Sequence, residues 1–200
     1  MPGRVSLMNR ALRIFAGGRV ISPDDSTREA AHCRAAWDEA RDSALAAYPW
    51  GFAVKWARLA RNADAPAFGF KHSYALPADF LYLLDIRAED DLTAAPERHC
   101  IAAAVSGRRP LAVYADADQA FARYVFRHEL CALWPEHFCE VFAARLAAAV
   151  APYLTEDAGM GVKLRELYRQ ELAFAATADA KQDFAPDVRE PCDYIDSRQG

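Results

Sequence analysis

The sequence predicts a mainly α protein: a helical bundle with a small β-hairpin or sheet element and an extended C-terminal tail. Three observations predict it. Apolar residues recur every three or four positions over several long stretches, the period of a helix that buries one face. Much of the 53% hydrophobic share is alanine, which suits long, closely packed helices better than a bulky sheet core. From Asp183 onward the chain carries Pro186 and Pro191 among alternating charges and too few apolar residues to bury itself.

Arg4 to Ala16 reads as a first helix, stopped by Gly17-Gly18. Ser22-Pro23-Asp24-Asp25-Ser26 is a turn into the second, where Ser26 and Glu29 form a capping box. From Thr27 to Tyr48, the residues Ala30, Cys33, Trp37, Ala40, Ala44 and Tyr48 fall on one stripe. Pro49 removes a backbone donor and pushes Tyr48 out of helical geometry, so the helix breaks there. Phe52, Trp56 and Leu59 predict a third helical segment to Asn62, with Ala63 to Ser73 a loop. Leu76-Pro77-Ala78-Asp79 predicts a short helical turn, Pro77 sitting near its first position.

Phe80 to Arg87 leads into a mixed region, and Glu89-Asp90-Asp91 is a solvated loop. Arg98 to Val105 and Leu111 to Tyr114 predict a hairpin around Ser106-Gly107-Arg108-Arg109, and Phe121 to Arg127 a further strand. Pro135 opens a strong helix to Leu154, with Phe138, Phe142, Leu146 and Val150 inward. After Gly159-Met160-Gly161, a last helix runs from Val162 to Lys181, burying Leu164, Leu167, Tyr168, Leu172 and Ala175. The expected organisation is one domain over 1–182, its β element at about 81–127, and a tail over 183–200.

Two hundred residues suit a single domain. The net charge of −4 is unevenly spread: residues 1–62 hold ten Lys/Arg against six Asp/Glu, and residues 63–200 hold fourteen against twenty-two. That balance argues against a general polyanion binder, which shows a clear basic excess. Cys33, Cys100, Cys131, Cys139 and Cys192 are dispersed and odd in number, the pattern of reduced thiols rather than a disulfide framework. Arg4, Arg10 and Arg13 thread through Leu7, Leu12, Ile14 and Phe15, so the N-terminus reads as an amphipathic helix and not a signal. No apolar run approaches the ~20 residues of a membrane span, and a soluble protein is expected.

Chemistry is sparse. His128 and Cys131, with His137 and Cys139, hold the residue types of a tetrahedral zinc shell. Their spacing is not that of paired zinc ligands, and Pro135 lies between the pairs, so buried thiols at a strand-to-helix junction are expected. No serine occupies a glycine-flanked nucleophile elbow. Cys131 and Cys139 each have a histidine close in sequence, whereas papain-like pairs meet only in space. Asp24-Asp25 and Asp90-Asp91 read as caps and loops, and Gly17-Gly18 is too short to cradle phosphate. Trp37, Trp50, Trp56 and Trp134 are read as core packing rather than as stacking platforms for bases, because three of them fall on apolar helical stripes or beside a helix start. No catalytic, cofactor-binding or metal-binding residue is expected. Arg108 and Arg109, at the hairpin tip, are the best basic spot for a DNA phosphate or an acidic partner.

Two landmark blocks remain: Ala47-Tyr48-Pro49-Trp50-Gly51-Phe52-Ala53 and Tyr74-Ala75-Leu76-Pro77-Ala78-Asp79-Phe80-Leu81. Around them lie Asn9 to Ile14, Asp25 to Ala30, Trp37-Asp38, Arg41-Asp42, Leu59-Ala60, Phe138 and Arg145-Leu146-Ala147. In this order the series resembles the tail tubular protein A family, the head-to-tail adaptors of short-tailed bacteriophages. The chain departs from that pattern at the alanine-rich stretch Cys100 to Val105. The resemblance implies a structural virion protein of the neck, assembled in the host cytoplasm, with no enzymatic activity. It implies a homo-oligomeric ring, dodecameric in the well-described relatives, fitted between the portal protein and the tail nozzle protein. Genomic DNA would pass through its lumen, touching it only transiently, with no membrane contact. The expected partner-contact residues are Arg108, Arg109 and, on the tail, Asp187, Arg189, Tyr194 and Arg198. The alternative weighed beside it is a DNA-binding or packaging accessory protein using Arg108, Arg109 and the basic first helix.

Overall fold

The computed structural model describes residues 2–15, 17–64, 66, 69–91, 94–104, 111–155, 157 and 159–183. These form α1 (Arg4–Ile14), α2 (Arg28–Ala46), β1 (Val54–Arg58), β2 (Ala60–Arg61), β3 (His72–Ala75), β4 (Phe80–Arg87), β5 (His99–Ala103), β6 (Leu111–Ala115), β7 (Phe121–Phe126), α3 (Glu136–Leu154) and α4 (Met160–Asp183). The strands make two antiparallel sheets, ordered β1-β7-β4 and β2-β3-β6-β5. At 46% helix and 21% strand the fold is α/β, which corrects the expected mainly α bundle.

The helical part was legible. α3 is the central helix: α1, α2 and α4 all pack on it, and eleven of its nineteen residues are buried. Alanines at 143, 144, 147 and 151 let its neighbours approach closely, while Phe138, Phe142, Leu146 and Val150 fill the space between them. α2 begins one residue later than expected. Thr27, not Ser26, is the cap, its hydroxyl accepting from the Ala30 amide at 3.3 Å. The preceding loop closes on itself first, with the Asp25 carboxylate accepting from the amides of Ile21 and Ser22.

The structure differs from the expectation between residues 52 and 87. Instead of a third helix, Gly51–Ala53 makes a single 3₁₀ turn and the chain then extends into β1. Phe52, Trp56 and Leu59 do lie at helical spacing, but Val54 through Arg58 find unbroken partners in Val125 through Phe121. Cross-strand hydrogen bonds and packing outweigh that weak local preference. Leu59, buried, donates its amide to Ala120 at 2.8 Å and carries the chain from one sheet to the other. Leu76 to Asp79 forms a turn without helix, closed by the Phe80 amide on the Pro77 carbonyl at 3.3 Å. There Asp79 is drawn away by Lys55 and Tyr124. The sheets thus begin at Val54 rather than near residue 81. The hairpin of β5 and β6 and the strand β7 fall where expected; the hairpin tip lies outside the described residues, as does the whole of 184–200.

Two cores result. One lies within the helices and takes in Val125 from the first sheet. The other lies between the sheets, built from Leu59, Tyr74, Leu83, Ile86, Val113 and Tyr124, and Phe126 packs against both. The first is organised by an aromatic chain. Trp50 meets Tyr48 and Phe138 edge to face at 5.0 and 5.2 Å, Phe138 meets Trp134 at 5.1 Å, and Trp134 meets Phe142 at 5.0 Å. Such pairs add about 0.5–1.5 kcal/mol each beyond the area they bury. Replacing Trp50 by Ala is expected to lower the unfolding free energy by about 3–5 kcal/mol. Trp50→Phe keeps a ring but loses the indole bond to the Ala44 carbonyl and is expected to cost clearly less, which urea titration of the three proteins checks.

Candidate functional surface

Pro49 stops α2, and the next residues form a joint. The Trp50 amide donates to the Tyr48 carbonyl at 2.9 Å, which swings the indole into the helical core, where its Nε1 donates to Ala44 at 3.0 Å. Gly51 then donates its amide to Oδ2 of the buried Asp179 at 2.9 Å, and Oδ1 of Asp179 faces His137 Nε2 at 3.2 Å. One carboxylate therefore ties the end of α4, the start of α3 and the exit from α2 together. A buried carboxylate left without such partners would cost several kcal/mol.

A second tie runs from α2 to the first sheet. Arg41 is buried and bonds Asp38 and Asp42 at 2.9 and 2.8 Å, and Asp42 also receives Arg127, just past β7, at 2.9 Å. The Trp37-Asp38 and Arg41-Asp42 landmarks are thereby a hinge pin between helices and sheet. Beyond it, Lys55 reaches Asp79 at 2.7 Å and lies 3.7 Å over the Phe126 ring, while the Tyr124 hydroxyl donates to Asp79 at 3.1 Å. Burial raises the Asp79 carboxyl, but the bonds from Lys55 and Tyr124 outweigh it and hold the group below its usual range. The same pairing shows from the other side: burial first, and then the Asp79 charge, push Tyr124 up to about 12.

The possible metal quartet is not assembled as one. The His128 ring packs against Phe52 and Phe126, and His137 is spent on Asp179. Cys139 is buried with its thiol 3.7 Å from the Trp134 carbonyl. Among the described residues no group of three or more His, Cys, Asp or Glu is placed to hold a metal ion. His128 Nδ1 is buried and has no hydrogen-bond partner among the described residues; burial, and then Lys55, lower its pKa, against a hydrogen bond that raises it. Of the four tryptophans, Trp37, Trp50 and Trp134 are core, as expected, but Trp56 is 44% exposed. Arg108, Arg109, Asp187, Arg189, Tyr194 and Arg198 all lie outside the described residues.

Two surface features were not found from sequence. On the outer face of the first sheet, the guanidiniums of Arg87 and Arg123 lie 5.4 and 5.7 Å from the Trp56 ring centre. Asp85 bonds Arg87 at 3.3 Å and faces Arg123 at 3.7 Å, fixing both beside the indole. The cleft beside it, about 450 Å³, is lined by Arg58, Glu89, Asp90 and Phe121 as well. The second feature is a one-turn 3₁₀ helix, Cys131–Leu133, whose flanking Leu130 and last residue Leu133 are 66% and 57% exposed. Leu130 also lines a cleft with Lys55, Asp79, Arg127 and Glu129. An apolar centre inside a charged rim is the usual anatomy of a protein–protein contact. Sequence alone offers only the apolar run Leu130-Cys131-Ala132-Leu133 before Trp134, which reads equally as core.

No protein-family model matches the chain, and no curated protein matches it. No helix among the described residues is long and apolar enough to cross a membrane.

Two predictions follow from the buried groups. Burial, and then Glu29, push the Cys33 thiol up to about 11; burial, and then Glu136, push Cys139 up to about 12. Thiolate is the reactive form, so a neutral aromatic disulfide reagent is expected to spare both in the folded protein and label both once urea unfolds it. For Asp79, a folded pKa below the ordinary 3.8 means stability present above that pH and lost as pH falls through the lower folded value. Asp79→Asn should therefore melt below the native protein at pH 7, with the gap closing toward pH 3; melting curves across that range check it.

Proposed function

We propose that this protein is a structural adaptor subunit that assembles into a ring between a phage portal and its tail nozzle, acting by docking and not by catalysis. Support comes first from the ordered landmark residues, which in the fold serve as joints: Tyr48 to Gly51 joins helices to helices, and Arg41-Asp42 joins helices to sheet. The observation that carries the reading is the pair of exposed leucines on one short turn, Leu130 and Leu133, of which Leu130 lines a cleft with Lys55, Asp79, Arg127 and Glu129. Preorganised apolar knobs of this kind lose little freedom on binding. The Trp56 and Arg123 pair on the sheet face has the residue types that dominate protein interfaces.

The DNA-binding alternative draws less support. Of the three arginines on the first helix, Arg10 is engaged by Glu136 and Glu140 at 2.7 and 2.8 Å, and Arg4 lies over Trp37 at 4.7 Å. Arg10 is thereby charge-paired within the molecule, while Arg4 stays exposed. The Trp56 face likewise mixes its arginines with Asp85, Glu89 and Asp90, which repel phosphate.

Co-expression with the portal protein of the same phage is expected to give a ring-shaped complex by electron microscopy. Replacing Leu130 and Leu133 together by Asp should abolish that complex while leaving the melting temperature nearly unchanged. A particle neck that lacks this protein, or a complex indifferent to the double substitution, overturns the reading or its docking site respectively.

A further inference from the structure

The two sheets present four outer edge strands: β1 and β4 in one, β2 and β5 in the other. An edge strand offers unpaired amides and carbonyls to any passing strand, and native proteins guard such edges with charge, brevity or irregularity. Three of the four are guarded. β1 carries Lys55 and Arg58. β4 carries Asp85 and Arg87 and breaks register twice against β7. β2 is two residues long, and one of them is Arg61.

β5 has none of these devices. Its sequence, His99-Cys100-Ile101-Ala102-Ala103, holds no Lys, Arg, Asp, Glu or Pro, and its register against β6 runs unbroken for five residues. Four of the five residues are exposed, Ile101 at 38%. Among the described residues no strand pairs with its outer edge; the carbonyls of Ile101 and Ala103 accept side-chain hydrogen bonds, from the Cys100 thiol at 3.6 Å and the Tyr114 hydroxyl at 2.8 Å.

We infer that β5 is the self-association edge of this chain: it pairs antiparallel with β5 of a second copy, joining two four-stranded sheets into one of eight strands. The occupant is a second copy for two reasons. The chain's other edges are guarded, so the strand that best complements an unguarded edge is the same edge. The sequence also complements itself under a two-fold axis. Antiparallel ladders alternate hydrogen-bonded and non-bonded pairs, so a two-fold axis must set one residue opposite itself. Full overlap of five residues selects Ile101. That register opposes Cys100 to Ala102 and His99 to Ala103, with no like charges across the seam. Ile101 is also the cross-strand partner of the fully buried Val113, so the Ile101 pair extends the apolar face already formed between the sheets. A two-fold contact closes at two copies, whereas a cyclic ring repeats a head-to-tail contact, so this inference stands apart from the adaptor reading.

Analytical ultracentrifugation of the purified chain should show a reversible dimer. Ile101→Lys, which puts two cations face to face at the seam, should give a monomer with an unchanged circular dichroism spectrum and melting temperature. The second arm does not depend on a destabilising change: Ile101→Cys in a chain with Cys100, Cys131 and Cys192 replaced by Ser. Opposed residues have Cα atoms about 4.5–5.5 Å apart, within disulfide range. A copper-phenanthroline oxidant that takes two electrons and two protons from the introduced thiols should then give a covalent dimer, and the same change at Arg61 or Lys55 should not. A native chain monomeric at every concentration, a dimer that survives Ile101→Lys, or no covalent dimer from Ile101→Cys overturns the inference.

Discussion

The structure depends on the burial of Trp50 at the corner where α2 ends. Pro49 forbids the helix to continue, and without a large apolar residue to fill the space beyond, the turn would open to water. Trp50 fills it from three sides, touching Tyr48, Phe138 and the ring of His137, while its one polar atom is satisfied by Ala44. Asp179 then holds the next residue from the far end of α4. Because α4 rests on α3 with little other support, this bond fixes the last turn of α4 relative to the sheets. The corner therefore sets where β1 starts, and β1 sets the register of β7 and, through it, β4.

Ion pairs play a lesser part in stability and a larger one in geometry. Arg145 with Glu39, Arg169 with Glu166 and Arg98 with Asp116 are exposed pairs worth roughly 0–1 kcal/mol each. Arg41, Asp42 and Arg127 differ, since Arg41 is buried and the shared carboxylate of Asp42 takes its two arginines from two layers. Losing one of them would strand a charge, so the set acts as a constraint on how the first sheet meets α2. Asp79, Lys55 and Tyr124 do similar work at the turn after β3.

What could be read from sequence divides by range of interaction. All four helices were legible to within about two residues at most ends, because helical periodicity is written in neighbours four apart. So were β5, β6 and β7, where a turn signal or alternation stood close by. The strands from Val54 to Arg87 were not, since β1, β4 and the β3–β6 pairing rest on partners 34 to 71 positions away and their own residues suit either state: Val54-Lys55-Trp56-Ala57-Arg58 reads as helix until Phe121 to Val125 is placed beside it. The missed surface features follow the same logic. Trp56 was assigned to a helical stripe and hence to the core; on an edge strand its side chain stands half in water between two arginines from other strands. Asp79 looked like part of a helix start and is the acceptor that organises a turn.

The way the apolar residues are distributed bears on what the molecule is for. A 200-residue chain has ample apolar surface to bury, and this one fills both cores to near completion, with Trp50, Tyr74, Phe138 and Phe142 among the fully enclosed side chains. Exposed leucines at 130 and 133 and an unguarded β5 are then not leftovers from a core that ran short. Scattered single exposures, such as Phe174 on α4, need no explanation. Two exposed leucines on one short turn and an unpaired strand edge do, because each leaves surface that water solvates poorly and another protein solvates well. One sits directly after β7 and the other beside β6. Surface of this kind costs an isolated chain free energy in water, which is the physical ground for the docking proposed at the leucines and the pairing proposed at β5.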